Sequence, residues 1–543
     1  ASGWPSWARR RNISARMLRL PEVCAVIPGP APLIPDLLRL NGRWRRARAA
    51  VSCGTESLSW GEFDRRTEQV ANALVALGLQ PGESVAVLMN NGIPMVEALF
   101  GAMKAGACVV PLNLSVTDDG IERMLVDAGA RVVVATPAQR ARLAPMQARL
   151  DQVLPGGWLC VDGGAGFADY AAWRDAAPAT HCQAALDPDG PCNLIYSSGT
   201  TALPKGIVHS HRRRIEWSYD VSVAMRYGSN AVAICPVGLF SNISWVAMLC
   251  SFLAGGSIVV MDHFDPEDFL ATVERHRCTH VAMVPLQFQK VVEDPSFARY
   301  DISSMRNLCT VGSPMHPDLK QRVARDFGCD LTELYGLTEG IITTLDPEDV
   351  FSRTASVGKP VPGTDLRIID EEGRELPAGS AGEIVGWSRF VMIGYHNRPD
   401  ATAEALWHDA EGRPWLRTGD IGKLDEDGYL YIVDRKKDMI LSGGQNIFPA
   451  DIEAAIKTHP AVFDCAVIGI PHDKWGETPL GLVVLRPGHP ATPADAEAMR
   501  AWVNERVGRQ QRLSRLEFRG ELPRNPTGKL LKRELRTAYV ART

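Results

Sequence analysis

Apolar positions in this chain alternate between two spacings. The segment Leu58-Ser59-Trp60-Gly61-Glu62-Phe63 predicts a helix start, because Ser59 and Glu62 are spaced for a capping box and Leu58 for a staple onto Phe63. Val70, Ala73, Leu74 and Leu77 then recur at helical spacing, and Gly78 suits a left-handed stop. Short apolar runs follow at Val85 to Met89, Cys108 to Leu112 and Val132 to Ala135, separated by helical stretches such as Pro94 to Lys104. The rhythm returns at Leu194 to Tyr196, Val281 to Val284 and Leu308 to Val311. This alternation predicts an α/β fold whose large N-terminal domain holds doubly wound, mainly parallel sheets covered on both faces by helices.

From about Asp420 the pattern changes to a hairpin with Asp427-Gly428 at its turn, and then to a small α+β unit ending in a basic helix. The expected division is an N-terminal extension (1–32), a large domain (33–436) and a small C-terminal domain (437–543), with the polar run Asp434-Arg435-Lys436-Lys437-Asp438 as linker. A length of 543 residues agrees with more than one core, because single cores stop growing near ~250–300 residues. Residues 231–261 carry no charge and are long enough to cross a bilayer. Pro236, Gly238, Asn242, Gly255 and Gly256 divide them instead into two buried strands flanking a buried helix, so no integral membrane span is expected.

A formal net charge of -4 argues against nucleic acid as a partner and makes any phosphate site local. The 12 cysteines never form a C-x-x-C pair and read as buried thiols of a reducing, cytoplasmic compartment. The residues before Glu22 lack acids and include Arg9, Arg10 and Arg11, which reads as a solvated extension rather than a targeting peptide.

The most informative stretch is Tyr196-Ser197-Ser198-Gly199-Thr200-Thr201-Ala202-Leu203-Pro204-Lys205-Gly206, which follows an apolar strand. Small residues let backbone N–H groups approach phosphate oxygens, hydroxyls add donors, and Lys205 adds positive charge. No Gly-Lys-Ser/Thr ends the segment, so it is not a P-loop of the mononucleotide kind. His209-Ser210-His211 lacks an accompanying acidic or cysteine cluster and reads as a helix entry. Gly164-Ala165-Gly166 lacks a third glycine and reads as a turn.

The loop resembles the signature of the adenylate-forming superfamily, which includes acyl-CoA synthetases, and the resemblance runs from about Leu33 to Arg536. Further motifs stand in that family's order. Gly312-Ser313-Pro314-Met315 resembles the adenine loop. Tyr335-Gly336-Leu337-Thr338-Glu339 resembles the motif whose aromatic ring stacks on the base and whose Thr contacts phosphate, with Glu333 and Leu334 just before it. Arg417-Thr418-Gly419-Asp420 resembles the ribose site, and Ile432 and Arg435 would add nucleotide contacts. Lys437 falls at the hinge position, about which the small domain would be mobile. Asn525-Pro526-Thr527-Gly528-Lys529 resembles the catalytic-lysine loop. Leu441-Ser442-Gly443-Gly444-Gln445-Asn446 and Trp475-Gly476-Glu477 resemble segments that approach coenzyme A.

The resemblance implies an ATP-dependent acid–thiol ligase. Lys529, Glu339 and Lys205 would be catalytic, Glu339 and Thr200 would hold Mg2+, and Ser197, Ser198, Gly199, Thr200 and Thr201 would meet the phosphates. Coenzyme A is the implied acceptor through Ser442, Gly443 and Gly444. Loading of a separate carrier protein, or nucleotide binding without catalysis, are the competing readings. Two positions depart from the family. Ala202 stands where glycine is usual, and Ser241 replaces a histidine beside the acid tunnel, making Phe240, Ser241 and Trp245 the candidate acyl pocket. That apolar lining favours a fatty, alicyclic or aryl monocarboxylic acid, although Arg212, Arg213 and Arg214 nearby keep a dicarboxylate open. A homodimer is compatible with the sequence.

Overall fold

A computed structural model describes residues 31–197, 204–442, 445–524 and 530–540. Residues from Leu33 onward form one unit, and of the separate segment 1–32 only residues 31 and 32 are described. The expected helix spans Trp60–Ala76, with the Ser59–Glu62 capping box formed and Gly78 at φ +90° just beyond its end. Its apolar face is buried, as are Leu58 and Phe63.

Two large sheets follow from the β-α-β rhythm. In the eight-stranded sheet Ser84–Leu88 pairs in parallel with Cys108–Pro111 on one side and Ala130–Ala135 on the other. In the nine-stranded sheet Val232–Cys235, His280–Met283, Asn307–Val311 and Asp330–Gly336 run parallel in that spatial order. The uncharged stretch 231–261 resolves into the strand Val232–Cys235, the buried helix Asn242–Ala254 and the strand Ser257–Val260, with Gly255 at φ +74° closing the helix. No helix among the described residues is long and apolar enough to cross a membrane.

The rhythm misleads between residues 364 and 435. Thr364–Ile369, Gly382–Ser388, Pro414–Leu424, Leu406–His408 and Leu430–Arg435 form a third, five-stranded sheet whose pairings are all antiparallel. The hairpin turn at Asp427-Gly428 forms as expected, Gly428 having φ +81° and donating to the Asp425 carbonyl at 3.0 Å. Both its strands join this third sheet rather than opening the C-terminal unit, because Pro414–Leu424 has partners on both edges.

The remaining strands, Ile440–Ser442, Gln445–Ile447, Val462–His472, Gly476–Leu485 and Arg515–Arg519, make a separate five-stranded sheet. Helices Pro449–Lys457 and Pro493–Asn504 accompany it, and Ile440, Ile452, Val467, Val483 and Val503 pack in a core of their own. The fold is α/β with a large parallel-sheet part and a smaller α+β part.

Candidate active site

Asn307–Val311 and Asp330–Gly336 lie side by side with Val311 beside Leu334, so the loops leaving their carboxyl ends emerge together. Ligands of open parallel sheets gather at that edge. One loop carries Gly312, Ser313 and Pro314, and Gly312 takes φ +94°, a conformation that L side chains resist. Tyr335 and Gly336 end the other strand, and its loop carries Leu337 to Glu339. Between them the Met315 N–H donates to Glu333 Oε1 at 2.9 Å. Glu333 is buried in an ion pair with the equally buried Lys320. Burial raises its carboxyl above the ordinary range, against the pull of Lys320.

The strands flanking the phosphate-loop segment, Pro191–Tyr196 and Gly206–Ser210, pair antiparallel, and the Ser197 N–H donates to the Lys205 carbonyl at 2.9 Å. Ser198, Gly199, Thr200, Thr201 and Ala202 lie outside the described residues. Ser210 caps the next helix, His211–Ala224, in keeping with the expected helix entry. His209 belongs to the strand, and its Nε2 lies 2.7 Å from the Thr338 carbonyl. Because burial holds that imidazole far below its usual value, the ring is neutral and Nε2 carries the donated proton. That hydrogen bond joins the loop of one large sheet to the strand of the other.

Lys205 is exposed, with its ammonium 4.4 Å from the centre of the Tyr395 ring. The Tyr395 hydroxyl donates to Glu339 Oε1 at 3.0 Å, and the Glu339 carbonyl accepts from the Met392 N–H at 2.8 Å. Burial, then the Glu339 charge, raise the Tyr395 phenol above its usual value, so it remains a donor. Two residues assigned to catalysis therefore meet across a tyrosine that sequence reasoning missed. An isolated aromatic after Gly394 carries no chemical signal; only the pairing of Gly394–Tyr395 with Ile207 and Val208 brings it here.

Asp420 faces this group from the third sheet. The Tyr335 hydroxyl donates to its Oδ2 at 2.8 Å, and Arg435 Nε lies 3.6 Å from its Oδ1. Its own N–H donates to Thr418 Oγ1 at 3.1 Å. Each carboxylate oxygen retains a further lone pair, so the two-point acceptance of sugar hydroxyls stays open to Asp420. Ile432 is half-buried on the strand that ends at Arg435.

The linker run is not the solvated stretch its charges suggest. Asp434 is buried and its Oδ2 accepts from the Ala450 N–H at 3.0 Å. The Lys437 side chain is exposed, while its carbonyl accepts from Arg536 Nη1 at 2.9 Å. The two segments compared with coenzyme A sites come together: Ser442 stands opposite Gly476, and the Leu441 N–H donates to Glu477 Oε2 at 3.0 Å. Leu441 and Trp475 are both exposed. Gly443, Gly444 and Lys529 lie outside the described residues.

In the candidate acyl pocket, Ser241 is buried and its hydroxyl caps the helix Asn242–Ala254. Trp245 is fully buried, its indole N–H donating to the Leu239 carbonyl at 3.1 Å. Phe240 is half-buried.

Glu339 fits magnesium. No lysine or arginine pairs with it among the described residues, it is only partly buried, and its carboxylate is the hard oxygen donor that magnesium takes. Magnesium held there would neutralise phosphate charge.

Parallel sheets with loops converging at their carboxyl ends, and a smaller α+β part following, agree with the class of adenylate-forming enzymes. A model of the AMP-binding enzyme family matches residues 39–396, and one of the AMP-binding enzyme C-terminal domain matches residues 451–529. The chain belongs to the AMP-binding enzyme family. It is 35% identical to a feruloyl-CoA synthase of Amycolatopsis sp over 92% of this chain and 99% of that one. It is 31% identical to the fatty acid–[acyl-carrier-protein] ligase ScoC of Streptomyces coeruleorubidus over 90% of this chain and 93% of that one. The crystal structure of the anthranilate CoA ligase AuaEII with anthranoyl-AMP superposes with a TM-score of 0.87 at 26% identity, covering 95% of this chain and 99% of that one.

Proposed function

We propose that this chain joins a carboxylic acid to coenzyme A in two steps through an acyl-adenylate. The observation that carries the reading is the meeting of Lys205, Tyr395 and Glu339 beside the Tyr335–Asp420 pair. A carboxylate oxygen attacks the α-phosphorus of ATP, the bond to the bridging oxygen breaks, and pyrophosphate leaves. Attack brings anion to anion, so orientation and positive charge dominate the barrier. Lys205 and the phosphate-loop donors meet the departing pyrophosphate, Lys529 bridges carboxylate and α-phosphate, and Asp420 holds the ribose. In the second step the thiolate sulfur attacks the acyl carbonyl and AMP leaves.

A fatty, alicyclic or aryl monocarboxylic acid is the proposed substrate, supported by relatives that act on feruloyl and fatty acyl groups. The ScoC likeness supports a second reading, in which a separate carrier protein accepts the acyl group. Pyrophosphate exchange across a panel of such acids tests adenylation, and thioester formation with free coenzyme A tests the acceptor. Exchange without any thioester would leave the carrier reading standing.

The proposed boundary at residues 436/437 makes Lys437 the pivot between the two steps. Lys437→Pro restricts the backbone that must turn, so thioester formation should fall at least about tenfold more than pyrophosphate exchange. Equal losses in both half-reactions would remove Lys437 from that role.

A further inference from the structure

Three consecutive arginines open the helix His211–Ala224, and they meet different ends. Arg212 forks onto the Asp189 carboxylate at 2.8 and 3.0 Å. Arg213 donates to the Val391 and Met392 carbonyls. Arg214 is fully buried, and no acidic side chain pairs with it among the described residues. Its guanidinium carbon lies 5.3 Å from the centre of the Trp217 ring and 5.1 Å from that of Trp245.

Those indole contacts address the charge of the guanidinium but do not satisfy its in-plane N–H edges. Nε donates to Asn193 Oδ1 at 2.7 Å, and this fixes the amide with Nδ2 as a donor. Nη1 and Nη2 of Arg214 and Nδ2 of the buried Asn193 have no hydrogen-bond partner among the described residues. Every unpartnered atom in this group is a donor. Leaving such groups buried and unmatched is costly, and a planar fork of N–H donors is matched by a carboxylate or by another electron-rich oxygen. Burial also lowers the guanidinium to about 10, the direction a missing counter-charge produces.

We propose that Arg214 and Asn193 form an acceptor subsite behind the Trp245 wall of the acyl pocket, selecting acids that carry a second oxygen function away from the reacting carboxylate. The proposal rests on the adenylation reading and on Phe240, Ser241 and Trp245 as acyl wall, and it replaces the plain apolar monocarboxylic acid with an oxygen-bearing acid, a dicarboxylate included. The donors are shut from water, so the distal oxygen reaches them by displacing a ring. Arg214 is then a specificity residue that never touches the reacting atoms.

Pyrophosphate release is measured with acids matched in shape: 4-methylbenzoate against 4-hydroxybenzoate and terephthalate, and heptanoate against adipate. The hydroxyl and carboxylate arms distinguish a neutral from an anionic partner. The expected kcat/KM favours one oxygen-bearing class by about tenfold or more, and Arg214→Met erases that ratio. Asn193→Asp places an internal carboxylate against the guanidinium and should erase it too, which covers the case that Arg214→Met does not fold. A wild-type ratio at or below one in every pair overturns the subsite, as does a ratio that survives in a folded variant, because a pin between two indoles confers no acid preference. Absence of turnover with these acids and with the wider fatty, alicyclic and aryl panel refutes the ligase reading itself, and the subsite with it.

Discussion

Lys529→Ala should nearly abolish pyrophosphate exchange while sparing thioester formation from added acyl-adenylate. The first step needs positive charge between two anions, and losing one aimed cation from a closed site typically slows reaction by about 10²–10³-fold. The second step attacks the acyl carbonyl rather than an anionic phosphorus and does not share that need. Lys529 lies outside the described residues, but its neighbours are anchored. Arg524 bridges to Leu530 on the near side and pairs with Asp464 at 2.6 Å, and Lys532 pairs with Glu453 at 2.6 Å. The described residues on either side of it, Arg524 and Lys532, are thus each held by an ion pair. Parallel loss of both half-reactions would show that Lys529 supports the fold or the thioester step instead.

Glu339→Gln should cut pyrophosphate exchange by about 10²-fold and raise the magnesium concentration needed for half-maximal rate. Glutamine keeps the oxygen that accepts from the Tyr395 hydroxyl, so the local geometry survives while the negative charge is lost. An unchanged magnesium dependence would remove Glu339 from the metal site. Tyr395 itself links that carboxylate to Lys205, so damage to either residue is felt by the other.

Elements with local causes were legible in the sequence. The helix Trp60–Ala76 declared itself through its cap and its apolar face, and the uncharged stretch 231–261 through its breakers. The antiparallel sheet of residues 364–435 did not, because its short strands take their identity from partners distant in the chain. Thr364–Ile369 pairs with Gly382–Ser388, which pairs in turn with Pro414–Leu424. The same division runs through the site. Asp420 and Glu339 stood out as members of motifs, whereas Tyr395, the Lys320–Glu333 pair and the unmatched donors of Arg214 exist only through tertiary contact. The linker run shows the limit of charge counting, since Asp434 looks solvated in sequence and is buried in the fold.

That aspartate has a further consequence. In the described arrangement burial raises its carboxyl, against the nearby Lys532 and the N–H groups it accepts from. A rotation at the proposed pivot Lys437 that drew Ala450 away would return the group to water, where its proton would be held less tightly. Alkaline conditions would therefore tilt the resting balance toward the swung posture. A distance probe between the two parts that gives the same reading at every pH would mean that Asp434 stays covered, and acidity would then have no grip on the enzyme's choice of posture.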